Sequence, residues 1–98
     1  MGVMIIAQLK FTDETRYRRY QERFADVFQG SGGRLRVAEE NPVTIEGEWS
    51  SDKIVVMEFP SATEAQDFLS SDAYRTISLD REAGAVTASV MVRTLVDG

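Results

Sequence analysis

Residues 53–69 read KIVVMEFPSATEAQDFL, and this stretch decides how the rest of the chain is interpreted. Four consecutive apolar residues at 54–57 are typical of a central β-strand that is buried on both faces. Pro60 stops the strand, because proline lacks the N–H that a sheet ladder needs. The sequence Ser-Ala-Thr-Glu at 61–64 is a capping box, whose Ser and Glu side chains can bond the free amides of a first helical turn. The stretch therefore predicts a strand followed directly by a helix through about residue 69.

The first third of the chain predicts a strand and an amphipathic helix. An apolar run rich in β-branched residues at 3–11 is too short for a typical helix, and Thr12-Asp13 after it can begin one. Between about residues 13 and 28, apolar residues recur at helical spacing with charged residues between them. These residues are Tyr17, Tyr20, Phe24, Val27 and Phe28. The glycine-rich sequence at 30–33 then ends the helix.

Two further segments flank the central stretch. Residues 34–40 alternate apolar and charged side chains, as a half-buried strand does, and Asn41-Pro42 interrupts them before the chain continues extended to Trp49. After the second helix, Ser70-Ser71-Asp72 breaks or re-caps the chain. A short further helical segment is predicted from there up to Gly84.

The order of the elements predicts an α+β fold. Residues 85–96 have period two and form the last strand, with Val86, Ala88, Val90 and Val92 on one face. The order strand, helix, strand, strand, helix, strand is that of a ferredoxin-like βαββαβ sandwich, an antiparallel four-stranded sheet with two helices on one face. We expect one domain over residues 1–98.

The first strand indicates that both faces of the sheet are covered. Its apolar side chains alternate between the faces, with Ile5, Ala7, Leu9 and Phe11 on one and Met4 and Ile6 on the other. Helices can cover one face only, so the other needs a partner, and a second sheet is the natural one. A chain of this size without cysteine also lacks disulfides to stabilise it. We therefore predict a homodimer through sheet-to-sheet packing.

The composition argues against several classes of function. The 98 residues include no cysteine and no histidine, which removes thiolate and imidazole metal ligands and the usual general base near neutral pH. We expect no metal and no cofactor. The net charge of −5 argues against nucleic-acid binding, and acidic residues separate Arg16, Arg18, Arg19 and Arg23 as on a solvated helix face. No apolar run approaches the roughly 18 residues of a membrane span, so we expect a cytoplasmic protein.

Several motifs together resemble a known family. The sequence PVTIEGEW at 42–49 and the sequence IVVMEFPS at 54–61, followed by Ala65, Phe68, Ser71 and Tyr74, resemble the domain-of-unknown-function family numbered 1330, of the dimeric α+β barrel superfamily. The likeness covers nearly the whole chain. It implies a homodimer with facing sheets, in a superfamily that also holds cofactor-independent monooxygenases, small haem-degrading enzymes, lactone isomerases and proteins without known activity. Because this chain has no histidine, roles that relatives give to histidine cannot be transferred to it.

Glu58 is the candidate catalytic residue. It interrupts an apolar central strand, where a carboxylate is costly unless it is paired and where desolvation favours the protonated form of a general base. The alternative is a structural ion pair with Arg93 or Lys10, both of which lie on strands of the same predicted sheet.

Five further residues are candidates for ligand binding. Glu46 and Trp49 can point to one place if Gly47 between them permits a bulge, although Trp is more often an anchor of a core or of a dimer interface. Tyr17 and Tyr74 (with Tyr20) can line a pocket between helices and sheet, or can simply be core aromatics. Arg81 can bind a substrate carboxylate, or can instead bond nearby helix carbonyls.

Three functions are consistent with these residues. The first is a homodimer that binds a small organic molecule between sheet and helices. The second is a cofactor-independent monooxygenase or isomerase, with Glu58 as base and Tyr or Trp donors stabilising an enolate. The third is a purely structural or partner-binding dimer, which a filled interior without a cavity would favour.

Overall fold

The computed structural model describes residues 2–95. In chain order the elements are β1 (Val3–Phe11), α1 (Glu14–Phe28), β2 (Arg34–Glu39), β3 (Lys53–Phe59), α2 (Ala62–Ser70), α3 (Asp72–Gly84) and β4 (Ala85–Arg93). The predicted elements are thus present. The last strand ends at Arg93, and Val96, the predicted end, lies outside the described residues.

The four strands form one antiparallel sheet in the order β2-β3-β1-β4. The central strand β1 pairs with β3 on one side and with β4 on the other, so that Ile5 lies between Met57 and Met91. This arrangement confirms the predicted ferredoxin-like fold.

Side-chain caps set the helix boundaries. Asp13 accepts a hydrogen bond from the Arg16 amide at 3.2 Å, and Ser61 accepts one from the Glu64 amide at 3.2 Å, as the capping box predicts. Ser71 both ends α2 and caps α3. The segment predicted as short is in fact the 13-residue helix α3, so the sheet carries three helices rather than two.

The core lies between the sheet and the helices. Alternate residues of β1 are buried there, namely Val3, Ile5, Ala7 and Leu9, and Met57 and Phe59 of β3 join them. Phe28 of α1 contacts the ring of Phe59 at 5.9 Å between centroids, while Tyr17 lies near the other end of the same strand, over Lys53. The helix α1 therefore runs along β3.

The opposite side of the sheet, which we call the open face, is largely apolar, and none of the helices within residues 2–95 covers it. Its apolar side chains are Met4, Ile6, Val37, Ile54, Val56, Val86, Ala88, Val90 and Val92. Val86 is 67% exposed and Val90 is 58% exposed. The two-sided apolar pattern predicted for the first strand is present.

The connection between β2 and β3 does not continue the strand. Residues 40–52 form no sheet ladder, and Gly47 has a φ of 78°, a left-handed conformation that favours glycine. The side chains of Val43 and Ile45 in this loop are almost fully exposed.

Candidate functional site

A cavity of about 220 Å³ lies between α1 and the sheet. Its walls are mostly apolar and aromatic, and they are formed by Leu9, Tyr17, Tyr20, Gln21, Phe24, Ala25, Leu35, Ala38, Lys53 and Val55. Four of these residues are exposed and lie on α1 and the edge strand β2, which places the mouth of the cavity between these two elements. The cavity is the kind of concave, largely apolar space in which small molecules bind.

A charged cluster closes one end of the cavity. The Lys53 ammonium lies 3.4 Å from Glu40 Oε2 and 5.0 Å from the centre of the Tyr17 ring. Arg18 binds the same carboxylate with both terminal nitrogens, Nη1 donating to Oε2 at 2.6 Å and Nη2 donating to Oε1 at 2.8 Å. On its solvent side, Arg18 also pairs with Glu14 at 3.0 Å. Lys53 itself is 4% exposed, so an ammonium is buried at the edge of an apolar cavity.

The protonation equilibria of this cluster follow from burial and from the bidentate contact. Burial lowers the pKa of Lys53, and the nearby Glu40 partly opposes that effect. The hydrogen bonds from Arg18 are the main cause that lowers the pKa of Glu40 to about 2. The same bonds raise the pKa of Arg18 above its ordinary value. Glu40 is therefore a carboxylate across the physiological range, firmly held by Arg18.

Two buried phenols lie beside the cavity. The hydroxyls of Tyr20 and Tyr74 are 3.0 Å apart and hydrogen-bonded, which joins α1 to α3. Burial raises the pKa of Tyr17 to about 12. Burial, followed by the contact with Tyr74, raises the pKa of Tyr20 as well. All three tyrosines are buried in the core, and Tyr17 and Tyr20 also form part of the cavity wall.

Arg81 joins this tyrosine group from the far side. Its guanidinium carbon lies 5.9 Å from the centre of the Tyr20 ring, and Nη1 donates to Thr87 Oγ1 on β4 at 3.1 Å. Its Nε is buried and has no hydrogen-bond partner among residues 2–95. Arg81 and Tyr74 also line a separate, open groove between α2 and α3. The structure thus brings Tyr17, Tyr20, Tyr74 and Arg81 together. The sequence proposed one pocket for the tyrosines and a separate role for Arg81, and a ligand-binding role for these residues stays a prediction.

Glu58, the predicted catalytic residue, does not line the cavity between the sheet and the helices. It is on the open face, because its neighbours Met57 and Phe59 point into the helix-side core. Its carboxylate accepts a hydrogen bond from Arg36 Nε at 2.7 Å, and the side chain is 28% exposed. The expected partners Lys10 and Arg93 are not those found: Lys10 is at the far end of β1, and Arg93 is paired with Val3 in the helix-facing register. Arg34 is the strand partner of Glu58, and Arg36 lies at the register shift between Leu35 and Val37.

Glu46 and Trp49 come together in the loop between β2 and β3. Both line a hollow of about 350 Å³ whose other residues include Pro42, Val43 and Ile54. Since Ile54 belongs to the open face, this hollow lies on the opposite side of the sheet from the tyrosines. Gly47, between them, has a φ of 78° and lies in a bend of the loop, not in a bulged strand. The predicted ligand residues therefore fall into two groups on opposite faces.

Sequence reasoning missed the charged cluster. Arg18 was assigned to a solvated helix face, and Glu40 and Lys53 stand at strand ends with no motif around them. One signal was present: Lys53 precedes Val55, Met57 and Phe59 at spacings of two, so it belongs to their face. Because residues 54–57 are all apolar, their pattern does not show which face of β3 points inward.

The sequence comparison decides the family. The profile of the family described as domain of unknown function DUF1330 matches residues 3–95, which is nearly the whole chain. The chain belongs to this family. No curated protein matches the sequence. The DUF1330 resemblance inferred from the motifs at 42–49 and 54–61 is thereby confirmed.

Solved structures share the fold of this DUF1330 chain. A protein of unknown function from Rhodopseudomonas palustris superposes with a TM-score of 0.82 at 15% identity, covering 98% of this chain and 84% of its own. A dimeric protein of unknown function with a ferredoxin-like fold from Bacteroides fragilis gives 0.66 at 15% identity, covering 95% and 96%. The cofactor-independent oxygenase SnoaB from Streptomyces nogalater gives 0.66 at 11% identity, covering 98% and 95%. At these identities the likeness shows the fold.

None of the helices described between residues 2 and 95 is long and apolar enough to span a membrane. In the same part of the chain no three acidic side chains converge into a metal-binding group.

Proposed function

We propose that this DUF1330 protein is a cytoplasmic homodimer, one domain per chain, that binds a small organic molecule in the cavity between α1 and the sheet. The cavity itself carries this proposal: about 220 Å³ of largely apolar space, with a buried ammonium and buried phenols in its wall. A core evolved only for packing fills such space, because unfilled volume destabilises a fold.

The dimer is supported by the open face. Nine apolar side chains form a continuous surface there, and exposed apolar surface of this kind usually marks an interface. Two such sheets packed face to face would bury both surfaces. The dimeric ferredoxin-like protein from Bacteroides fragilis shows that a related fold assembles in pairs. In such a dimer the loop hollow with Glu46 and Trp49, and Glu58 with it, would lie at or near the partner chain, whereas the cavity belongs to each protomer alone.

Native mass spectrometry tests both parts of the proposal. A spectrum of freshly purified protein is compared with a denatured spectrum of the same sample. We expect a dimer that carries a reproducible extra mass, lost on denaturation. The variant Ala25→Phe, which places a ring at the mouth of the cavity, should keep the dimer and lose the extra mass. Ala62→Phe, an exposed position of α2, is the matched control and should keep both. An extra mass that survives Ala25→Phe would place the ligand outside the cavity.

A second candidate is a cofactor-independent oxygenase or isomerase, and one observation favours it. Glu58 and the loop hollow lined by Glu46 and Trp49 lie on the same open face, so a carboxylate and an indole N–H, a donor of the kind that stabilises an enolate, are on one side of the sheet. The fold of the oxygenase SnoaB supports the same reading at the level of architecture. Glu58 would act as the base only on the open face, with a substrate held there by the dimer. Turnover of enolisable aromatic ketones that is lost in Glu58→Gln but not in Ala25→Phe would support this open-face enzyme over the cavity.

A further inference from the structure

Lys53 is unusual for a lysine because its side chain is buried. The chain has two lysines: Lys10 is exposed on the open face, where it donates to the Ser50 carbonyl oxygen at 3.1 Å, whereas Lys53 is 4% exposed in the cavity wall. Lys53 points inward because it is paired with Leu9, one of the most deeply buried residues of the core. Lysines are rarely buried to this extent, because loss of the ammonium's hydration costs free energy.

The ammonium of Lys53 lacks a full set of partners. It has three N–H donors, and within residues 2–95 one oxygen, Glu40 Oε2, lies within ion-pair distance, at 3.4 Å. That oxygen already accepts from Arg18 at 2.6 Å, and Arg18 holds the other carboxylate oxygen as well. One carboxylate is therefore shared by two cations, Arg18 and Lys53. The Lys53 ammonium lies beside the Tyr17 ring in the cavity wall.

The size and walls of the cavity limit what can meet this charge. Pockets for drug-sized ligands measure roughly 300–1,000 Å³, so a space of about 220 Å³ accepts a smaller molecule, of about one ring. Tyr17, beside the ammonium, together with Tyr20 and Phe24 gives the walls aromatic character, against which a flat ring can pack. One end is cationic and the rest is apolar.

We propose that Lys53 is the anion-recognising group of the cavity and that the ligand is a one-ring organic acid, whose anionic oxygen accepts hydrogen bonds from the Lys53 ammonium while its ring lies against Tyr17 and Phe24. This inference rests on the proposed function and gives its ligand a chemical class. Arg18 and Glu40 are positioning residues that hold the ammonium at the end of the cavity.

The test compares benzoate with benzamide, which has nearly the same shape and no charge. Protein labelled with ¹³C only in its lysines gives two sets of Cε signals, and Lys10 serves as the internal control. Benzoate should shift the Lys53 signals and leave those of Lys10 in place. A charge-assisted hydrogen bond is worth enough that benzoate should bind roughly tenfold or more tightly than benzamide.

Two variants complete the test. Lys53→Met replaces the lysine with an unbranched apolar side chain and removes the ammonium, so it should abolish the preference for benzoate. Lys10→Met makes the same change on the open face and should leave that preference unchanged. Equal binding of benzoate and benzamide by the native protein would overturn the acid assignment and leave the cavity as a binding site. A different result would overturn both claims. If neither probe binds, and Ala25→Phe keeps a co-purified mass, then the acid assignment and the proposed binding cavity both fail.

Discussion

The Glu40 carboxylate links Lys53, at 3.4 Å, to Arg18, at 2.6 Å, and so joins β3 to α1 across the end of the cavity. The ion pair stands between two elements that come together only on folding. Its carboxylate therefore titrates differently in the folded and the unfolded chain, and this difference is measurable.

Glu40→Gln should change how stability depends on acid. The pKa of Glu40 is lowered to about 2 in the folded protein, from an ordinary value of about 4.5, so its contribution to stability is present above about pH 4.5 and is lost as the pH falls towards 2. We expect Glu40→Gln to be less stable than the native protein at pH 7, and the difference to shrink steadily between pH 4.5 and pH 2. Urea unfolding at several pH values gives both curves, and a difference independent of pH would contradict the pairing.

The Tyr20–Tyr74 hydrogen bond should show strong coupling. Tyr20→Phe leaves the buried Tyr74 hydroxyl without its partner, which costs about 1–3 kcal/mol in the free energy of unfolding. The double variant Tyr20→Phe with Tyr74→Phe removes both hydroxyls and should lose much less than the sum of the two single changes. Chemical denaturation of the four proteins measures the coupling. Additive single effects would mean that the two hydroxyls do not depend on each other.

Gly84 marks the close approach of α3 to the start of α1. A Cβ at this position would lie 2.7 Å from the Asp13 carbonyl oxygen and 2.9 Å from Tyr17 Cα, and the Gly84 carbonyl oxygen accepts from the Thr12 amide at 2.9 Å. Gly84→Ala should therefore destabilise the protein by about 1–3 kcal/mol through overpacking against backbone. The neighbouring exposed Ala83→Ser is the control and should stay within about 0.5 kcal/mol of the native protein. Thermal or urea unfolding distinguishes them, and equal stabilities would show that the two helices can move apart without loss.

The open face should decide assembly. Val90→Glu places a charge in the middle of this apolar surface, where burial against a second sheet would strand an unpaired carboxylate. We expect this variant to sediment as a monomer with its fold retained. Leu79→Glu, at a 63% exposed apolar position of α3, makes the same change on the helix side and should remain dimeric. A Val90→Glu protein that sediments like the native one would rule out the sheet-to-sheet contact.

The sequence predicted the fold because its local signals agree. The capping box at 61–64, Pro60 and the glycines at 30–33 each end or begin an element where the structure does. The loop after β2 was harder, because no local pattern distinguishes an extended strand at 43–49 from an extended loop without a partner strand. That distinction depends on the sheet edge, which is a tertiary feature.

The sequence predicted the candidate site only in part, because it does not show which face of β3 points inward. With apolar side chains at four consecutive positions, the strand has no visible alternation, so its inward face is fixed by pairing with β1. That pairing turns Lys53 inward and Glu58 outward. The prediction that Glu58 faces a pocket between the sheet and the helices is therefore wrong. Helical spacing places Tyr17 and Tyr20 on the apolar face of α1, and both are buried in the structure. Arg81 is half-buried, and its place beside Tyr20 depends on how α3 packs against α1.

The most direct measurement is an amide NMR titration of ¹⁵N-labelled protein with a set of one-ring aromatic compounds. We predict that at least one compound shifts the amides of Tyr17, Phe24 and Val55 around the cavity, and that these shifts disappear in Ala25→Phe and persist in Ala62→Phe. Shifts confined to the loop at 42–49 and the open face, and unchanged in Ala25→Phe, would contradict a ligand-binding cavity between α1 and the sheet.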